Sequence, residues 1–304
     1  MAGNNSNNLC KIAIFYDGNF FYSVSNYYAY HHPKKSRIGI KGLHQFIVDR
    51  VRKEEGSIDK HYQIVDAHYF RGRMSAQEAQ DKDILYKERM FDDVLLKEGL
   101  VTHYLPLSPE GEKGIDVWFA LEAFELSIYK KIDVAVLIAS DGDYVPLIRK
   151  LNTIGTRVMV LGWDFDYVDI NEKYRTTNTS KSLLEHATYP LLMNDIIDKN
   201  YKEKNEFVDN LFIKNIIPNI NNSDINTKKV YRGKVEKLHN GFGFIASENE
   251  PNLFFHHSQV INVDFNDLLI GDVVTFKKGE NQKGVCATKI NKDISFNVDH
   301  TNKT

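Results

Sequence analysis

The sequence predicts an α/β N-terminal domain, an open parallel sheet with helices on both faces, followed by a small all-β barrel. Three observations carry this expectation. The apolar runs Ile12 to Tyr16 and Val134 to Ala139 lack polar alternation, which is the pattern of strands buried on both faces. Such runs alternate with helical periodicity over about 190 residues, as in a sheet built from parallel crossovers. Beyond Val230 the chain changes to short strand-like runs separated by turn signals.

Taken in order, Ile12 to Tyr16 reads as the first parallel strand, broken by Asp17-Gly18-Asn19. Leu43, Phe46, Ile47 and Val51 recur at helical spacing up to Gly56, and Tyr62 to Phe70 is rich in β-branched and aromatic residues. A second helical pattern holds Ile84, Phe91, Val94 and Leu95 and stops near Gly99, before an apolar stretch from Leu100 to Leu105. After a turn at Pro109 to Gly114, a third helix is expected to face the core with Val117, Trp118, Leu121, Phe124 and Ile128. Val134 to Ala139 is the clearest buried strand. Ser140-Asp141-Gly142-Asp143 leads from it into a helix that tolerates Pro146 in its first turn. Gly155 ends that helix before a strand from Arg157 to Leu161.

Three regions follow from this reading: a first domain over residues 9–198, a helical segment and flexible linker over 199–229, and a barrel domain over 230–291. The helical pattern from Tyr201 to Ile217 carries Phe207, Val208, Leu211, Phe212 and Ile216. The run NINNSDINTKK after Pro218 has little to bury. In the barrel, strands are expected at Arg232 to Leu238, Gly243 to Ser247, Leu253 to His256, Asp272 to Lys277 and Val285 to Ile290, ahead of a frayed tail, ISFNVDHTNKT.

The 304 residues carry a net charge of −2, so affinity for nucleic acid must come from local basic surface or stacking aromatics. Cys10 and Cys286 alone make neither a disulfide framework nor a Cys-x-x-Cys zinc pattern, which fits a reducing cytoplasm. MAGNNSNN lacks the order of a secretory signal, and no apolar run approaches the roughly 18 residues of a membrane span. A cytoplasmic protein is expected.

In an open parallel sheet, ligands bind beyond the carboxyl ends of the strands. Asp17 follows one buried strand, Asp141 and Asp143 follow another, and Asp116 starts the intervening helix, so all four are expected to converge at that edge. Clustered carboxylates repel unless a cation neutralises them, and hard oxygen ligands suit Mg²⁺ or Mn²⁺. Such an ion activates water and stabilises charge on a phosphodiester. Asn19 stands near enough in sequence to position a phosphate or a metal-bound water. The same residues are also good turn and cap formers. Arg71 and Arg73, after the second strand, are candidates for phosphate contacts, and Lys34, Lys35 and Arg37 read as a solvated loop. His31-His32 is not expected to bind metal.

The segments IAIFYDGNFFY, EKGIDVWFALEAFE and DVAVLIASDGDYVPLIRKLNTIGTRVMVLG resemble the signature stretches of NYN domains, PIN-like metal-dependent ribonucleases. The resemblance covers about residues 9–195. It implies a PIN-like sheet and metal-ligand or catalytic roles for Asp17, Asp116, Asp141 and Asp143, with Asn19 nearby. Relatives often have an Asp six residues after the first helix acid; this chain has Glu122, which is left secondary.

The segment NGFGFIASENEPNLFFHHSQV resembles the paired RNA-binding motifs of cold-shock domains, and FNDLLIGDVVTFKKGENQKGVCATKI matches the rest of such an OB-fold barrel. It implies that Phe242, Phe244, Phe255 and His256 stack on bases while lysines, Lys234 among them, follow the backbone. For Phe254 and Phe276 core packing is expected instead, because alternation sends strand neighbours to opposite faces. Where relatives carry a Trp in the first strand and a Lys before Gly-Phe-Gly-Phe, this chain has Lys237 or Leu238 and Asn240, and Asn240-Gly241 is a tight-turn signal.

The function expected is hydrolysis of single-stranded RNA by a Mg²⁺- or Mn²⁺-dependent ribonuclease, with substrate captured by the barrel. The alternative is a non-catalytic RNA-binding regulator that retains the acidic site. Single-stranded RNA or DNA is the expected partner, with no membrane; self-association, RNA target and endo- or exonucleolytic cleavage stay open. An aspartyl-nucleophile phosphatase is disfavoured because Asn19, not a second acid, stands two residues after Asp17. No Gly-x-Gly-x-x-Gly or P-loop pattern follows any strand, against a nucleotide-cofactor enzyme.

Overall fold

The computed structural model describes residues 9–57, 59–81, 84–107, 112–168, 173–203, 206–213, 229–239, 242–247, 250–263, 265, 268–281 and 284–293. The chain divides into two compact units. The first, from which Gln80–Lys87 is excluded, begins with β1 (Leu9–Asp17), α1 (Gly18–Tyr30), α2 (Ile40–Glu55), β2 (His61–Arg73), most of α3 (Ala76–Asp81) and of α4 (Leu85–Lys97), β3 (Val101–Pro106) and α5 (Ile115–Tyr129). It continues with β4 (Val134–Ile138), α6 (Val145–Thr153), β5 (Arg157–Gly162), β6 (Phe165–Val168), β7 (Tyr174–Thr177), α7 (Lys181–His186), β8 (Tyr189–Leu192), α8 (Met193–Lys202) and α9 (Glu206–Leu211).

Six strands form one sheet in the order β3-β2-β1-β4-β5-β8, every neighbouring pair parallel. Strand alternation explains why the apolar runs are unbroken. Ile12, Ile14 and Tyr16 of β1 join one core cluster with Val24, Leu43 and Ile47, whereas Ala13 and Phe15 join a second with Phe119 and Leu151. β4 divides in the same way, Val134, Val136 and Ile138 against Ala135 and Leu137. Both faces are covered, so each strand residue loses water whichever way it points.

Three features depart from expectation. The chain does not simply turn at Asp17-Gly18-Asn19: α1 starts there, with Phe20, Phe21, Val24 and Tyr28 buried at helical spacing. Gly18 is required by a close approach, because a Cβ there would stand 2.5 Å from the Phe70 carbonyl oxygen. On α5 the expected stripe holds only in part: Trp118 and Phe124 pack partly buried against the second core, but Val117 and Leu121 are more than 60% exposed and Ile128 is exposed, while Ile115, Phe119, Ala123 and Ser127 are buried. The helix is apolar nearly all round, so periodicity does not choose its buried face, and the small Ala123 and Ser127 let it lie close to the strands. Finally, packed chain continues past residue 198, with Leu211 and Phe212 inside the first core and the Gly39 amide donating to the Leu211 carbonyl at 2.9 Å.

The second unit is a closed barrel of β9 (Tyr231–His239), β10 (Phe242–Ser247), β11 (Glu250–His256), β12 (Val273–Asn281) and β13 (Gly284–Lys292), in the order β10-β11-β13-β12-β9. Its core holds Val235, Ile245, Leu253, Phe255, Val274, Phe276 and Ile290. The linker after Pro218, the Asn240-Gly241 turn, the tail from Ile294 and most of the Pro109 turn lie outside the described residues. No helix among the described residues is long and apolar enough to cross a membrane.

Candidate active site and nucleic-acid interface

β1 lies between β2 and β4, with chain order running outward in both directions, so the sheet's topological switch falls at the carboxyl ends of β1 and β4. A cleft of about 350 Å³ opens there, lined by Asp17, Asn19, Phe20, Ser23, Glu112, Asp116, Ser140, Asp141 and Thr177. Three of the four expected aspartates thus meet. Asp143 is exposed on the short 3-10 turn Gly142–Tyr144 and is not among the lining residues.

Local structure holds each carboxylate. Asp17 caps α1, accepting from the Phe20 amide at 3.0 Å, and Asp141 caps the 3-10 turn, accepting from the Asp143 amide at 3.0 Å. Asp116, in the first turn of α5, accepts from the buried Tyr144 hydroxyl at 2.8 Å. The cap reading and the site reading therefore hold together for Asp17 and Asp141. Burial pushes the Asp17 carboxyl up to about 6; the Phe20 amide opposes this, while Asp116 and Asp141 add to it by repulsion.

Glu112 was not anticipated, although it lies four residues before Asp116 in one of the quoted segments. Its carboxylate accepts from the Asn19 side-chain amide and the Gly72 backbone amide. Burial raises its pKa, and Asp17 and Asp116 raise it further. Glu122 faces a different group, with one of its carboxylate oxygens within 4.8 Å of a nitrogen on each of His68 and His103. Among the described residues, that trio and no trio of aspartates closes to this distance. Carboxylates spaced more widely than this can hold an ion only if it keeps part of its water shell and takes one or two of them directly.

The basic candidates separate. Arg71 lies over the Tyr22 ring at 4.5 Å and lowers the pKa of Glu112, which places its charge beside the cleft. Arg73 instead pairs with Asp92 at 2.8 Å and lies over the Tyr104 ring at 4.7 Å. Lys34 pairs with Asp209, and Arg37 bonds Asn26 and the Tyr30 hydroxyl, so this segment is packed and not simply solvated. His31 stacks on Tyr167, and His32 contacts Asp198.

On the barrel, register decides which rings reach the surface. Phe242 pairs with His256 and Phe244 with Phe254, while Gly243 pairs with Phe255. Residues directly opposite share a face. The half-buried rings of Phe242, Phe244 and Phe254 lie 5.7–6.0 Å apart, and His239 stacks on Phe242 at 5.0 Å. Phe255 is fully buried and offers no stacking face, which overturns its expected role, and Phe254, expected in the core, lies half-buried beside Phe242 and Phe244 instead. The physical reason is Gly243, where a Cβ would stand 2.5 Å from the Phe255 ring: the glycine admits that ring to the core. Phe276 is buried as expected. His256 and Lys234 are exposed, and Lys237 lies opposite Phe244. His239 supplies a ring in the first barrel strand that sequence reasoning missed.

A family model described as an NYN domain matches residues 11–193, and one described as a 'cold-shock' DNA-binding domain matches residues 231–293. Temperature acclimation protein A of Pseudomonas fragi is 42% identical over 50 residues, 16% of this chain and 85% of that protein. Among solved structures, a Vibrio parahaemolyticus protein of unknown function aligns with TM-score 0.41 and 19% identity, over 64% of this chain and 98% of its own. Drosophila Unr CSD456 aligns with TM-score 0.20 and 20% identity, over 43% of this chain and 39% of its own.

Proposed function

The chain belongs to the NYN domain family, a nuclease family, and from that premise we propose that it is a divalent-metal-dependent ribonuclease that captures single-stranded RNA on its cold-shock domain. The observation that carries this reading is the meeting of Asp17, Asp116 and Asp141 in one cleft at the switch of the sheet. Mg²⁺ or Mn²⁺, held by these three directly or through water, would supply an activated water and offset charge developing on the phosphodiester. Asn19, tied to Glu112, orients a phosphate oxygen at the mouth of the cleft, and Arg71 adds a positive charge beside it. The amino end of α1 favours an anion there. Asp143 stands at the rim and is assigned the approach of the strand, not the ion. The rings of Phe242, Phe244 and Phe254 hold bases by stacking while Lys234 and Lys237 follow the phosphates. Both cysteines are buried free thiols, in keeping with the cytoplasmic location proposed.

The test is incubation of the purified full chain with end-labelled single-stranded RNA, and separately single-stranded DNA of the same sequence, in Mn²⁺, in Mg²⁺ and in chelator. Metal-dependent cleavage of RNA that Asp141→Asn abolishes is expected. Binding without cleavage in every metal would replace the nuclease with a non-catalytic RNA-binding regulator.

A further inference from the structure

Six residues along α5 from Asp116, about 9 Å at the helix rise of 1.5 Å per residue, a second cluster of ligating side chains lies by the same helix. His68 on β2 and His103 on β3 are 4% and 8% exposed. His68 Nδ1 and His103 Nε2 are 2.8 Å apart. A carboxylate oxygen of the half-buried Glu122 and one nitrogen of each ring all lie within 4.8 Å of one another. We propose that His68, His103 and Glu122 form a second metal site, separate from the acidic cleft, which takes a borderline divalent cation of the Zn²⁺ class and pins α5 to β2 and β3.

Four features of the cluster support this. Burial lowers the pKa of both histidines and His68 lowers that of His103 further, while Asp66 and Glu122 pull the other way. Asp66 Oδ1 stands 3.0 Å from His68 Nε2, and its charge favours the ring proton there, which leaves the Nδ1 lone pair facing His103 Nε2. A carboxylate behind a ligating imidazole is the usual outer support of such sites. Aromatic rings wall the pair, Phe70 lying parallel to His103 at 4.3 Å and Trp118 standing edge-on at 4.9 Å, which excludes competing water. Among the described residues no hydrogen bond or ion pair engages the Glu122 carboxylate, which leaves its oxygens available to an ion at this distance from the two rings.

Two imidazoles and one carboxylate with an open fourth position match Zn²⁺ better than Mg²⁺. On binding, the ion takes the place of the proton shared between the rings: His103 exchanges its Nε2 proton with water and carries one on Nδ1, so no net charge change is required of the histidines. Metal–nitrogen bonds of about 2.0–2.1 Å put the two nitrogens about 3.3 Å apart, a separation of the rings by roughly half an ångström.

The experiment uses tag-free, metal-stripped full chain titrated with Co²⁺, read by its visible d–d absorption, and with Zn²⁺, read by competition against a chromophoric chelator. One equivalent of tetrahedral Co²⁺, displaced by Zn²⁺, is expected. His103→Gln and Glu122→Gln should each weaken Zn²⁺ by at least about a hundred-fold, and Asp66→Asn by about ten- to a hundred-fold. Asp17→Asn with Asp141→Asn should leave the Co²⁺ spectrum unchanged. Glu122→Gln changes only one half-buried charge, so it reports even where His103→Gln fails to fold. A tetrahedral Co²⁺ signal that survives Glu122→Gln, the absence of any such signal in the parent, or its loss in the Asp17 and Asp141 variant would each overturn the proposal.

Discussion

In the acidic cleft, three aspartates arrive from three separate segments, each from a strand end or a helix start, whereas the barrel's phenylalanine rings come from two adjacent strands and differ from core residues by a single position. The first arrangement tolerates errors in reading the sequence, because a residue just past a strand end reaches the sheet edge whatever its parity. The second does not: on a strand a shift of one residue sends a ring from solvent to core. Topology places the carboxylates; alternation places the rings.

The largest effect expected follows from the cleft. Asp141→Asn removes a ligand charge with little change in volume and should lower cleavage at saturating RNA by about a thousand-fold, equivalent to the several kcal/mol a metal-assisted step supplies. A variant as active as the parent would separate the cleft from the chemistry.

Next comes the pair Phe254 and Phe255, adjacent in sequence and opposite in role. Phe255→Ala empties the barrel core and should cost about 3–5 kcal/mol of stability. Phe254→Ala should leave stability nearly intact and weaken RNA binding by about 1–3 kcal/mol, the value of one lost base stack. Denaturant melts and RNA titrations of both variants check this. Equal effects on both measurements would mean that the two rings do not divide between core and surface.

A smaller effect is the pH response of the metal-free protein. Asp17 has its carboxyl raised to about 6, above the unfolded value of about 3.9. The native state therefore holds the proton more tightly, and stability on this account is full below about pH 4 and declines as pH rises through 6, by up to about 3 kcal/mol. Unfolding in chelator at pH 4 to 7 should show the parent losing stability relative to Asp17→Asn across that window, with Mn²⁺ suppressing the loss. Parallel curves for parent and variant would remove the electrostatic argument for a cation.

The smallest effect divides the two arginines. Arg71→Ala should weaken RNA binding a few-fold and reduce its salt dependence by about one phosphate contact. Arg73→Ala should act mainly on stability, since its partners are Asp92 and Tyr104. Salt titrations of the two variants distinguish them.

The order of strands and helices was legible because burial on both faces leaves an unbroken apolar run, as in Val134 to Ile138, whatever the handedness or order of the connections. The acidic residues were legible for a related reason: Asp17 and Asp141 interrupt such runs where the chain must turn. Helix α5 shows the limit. With apolar residues nearly all round, only the sheet beneath it selects Ile115, Phe119 and Ala123 as the buried face and leaves Val117 and Leu121 in water. Glu112 shows another, since nothing in a turn-rich segment announces that its carboxylate will meet Asn19 and the Gly72 amide.

By itself, then, the sequence determined the two folds, the strand ends at which carboxylates gather and the aromatic composition of the barrel, because these depend on local periodicity and on where polar residues break it. Tertiary structure alone decided that Asp143 does not line the cleft with the other three aspartates, that Phe254 and not Phe255 reaches the surface, and that Glu122 meets two histidines from neighbouring strands. Those outcomes depend on which segments the parallel crossovers bring side by side and on the register of paired strands. Contacts between residues tens of positions apart carry no imprint in the local pattern of either partner.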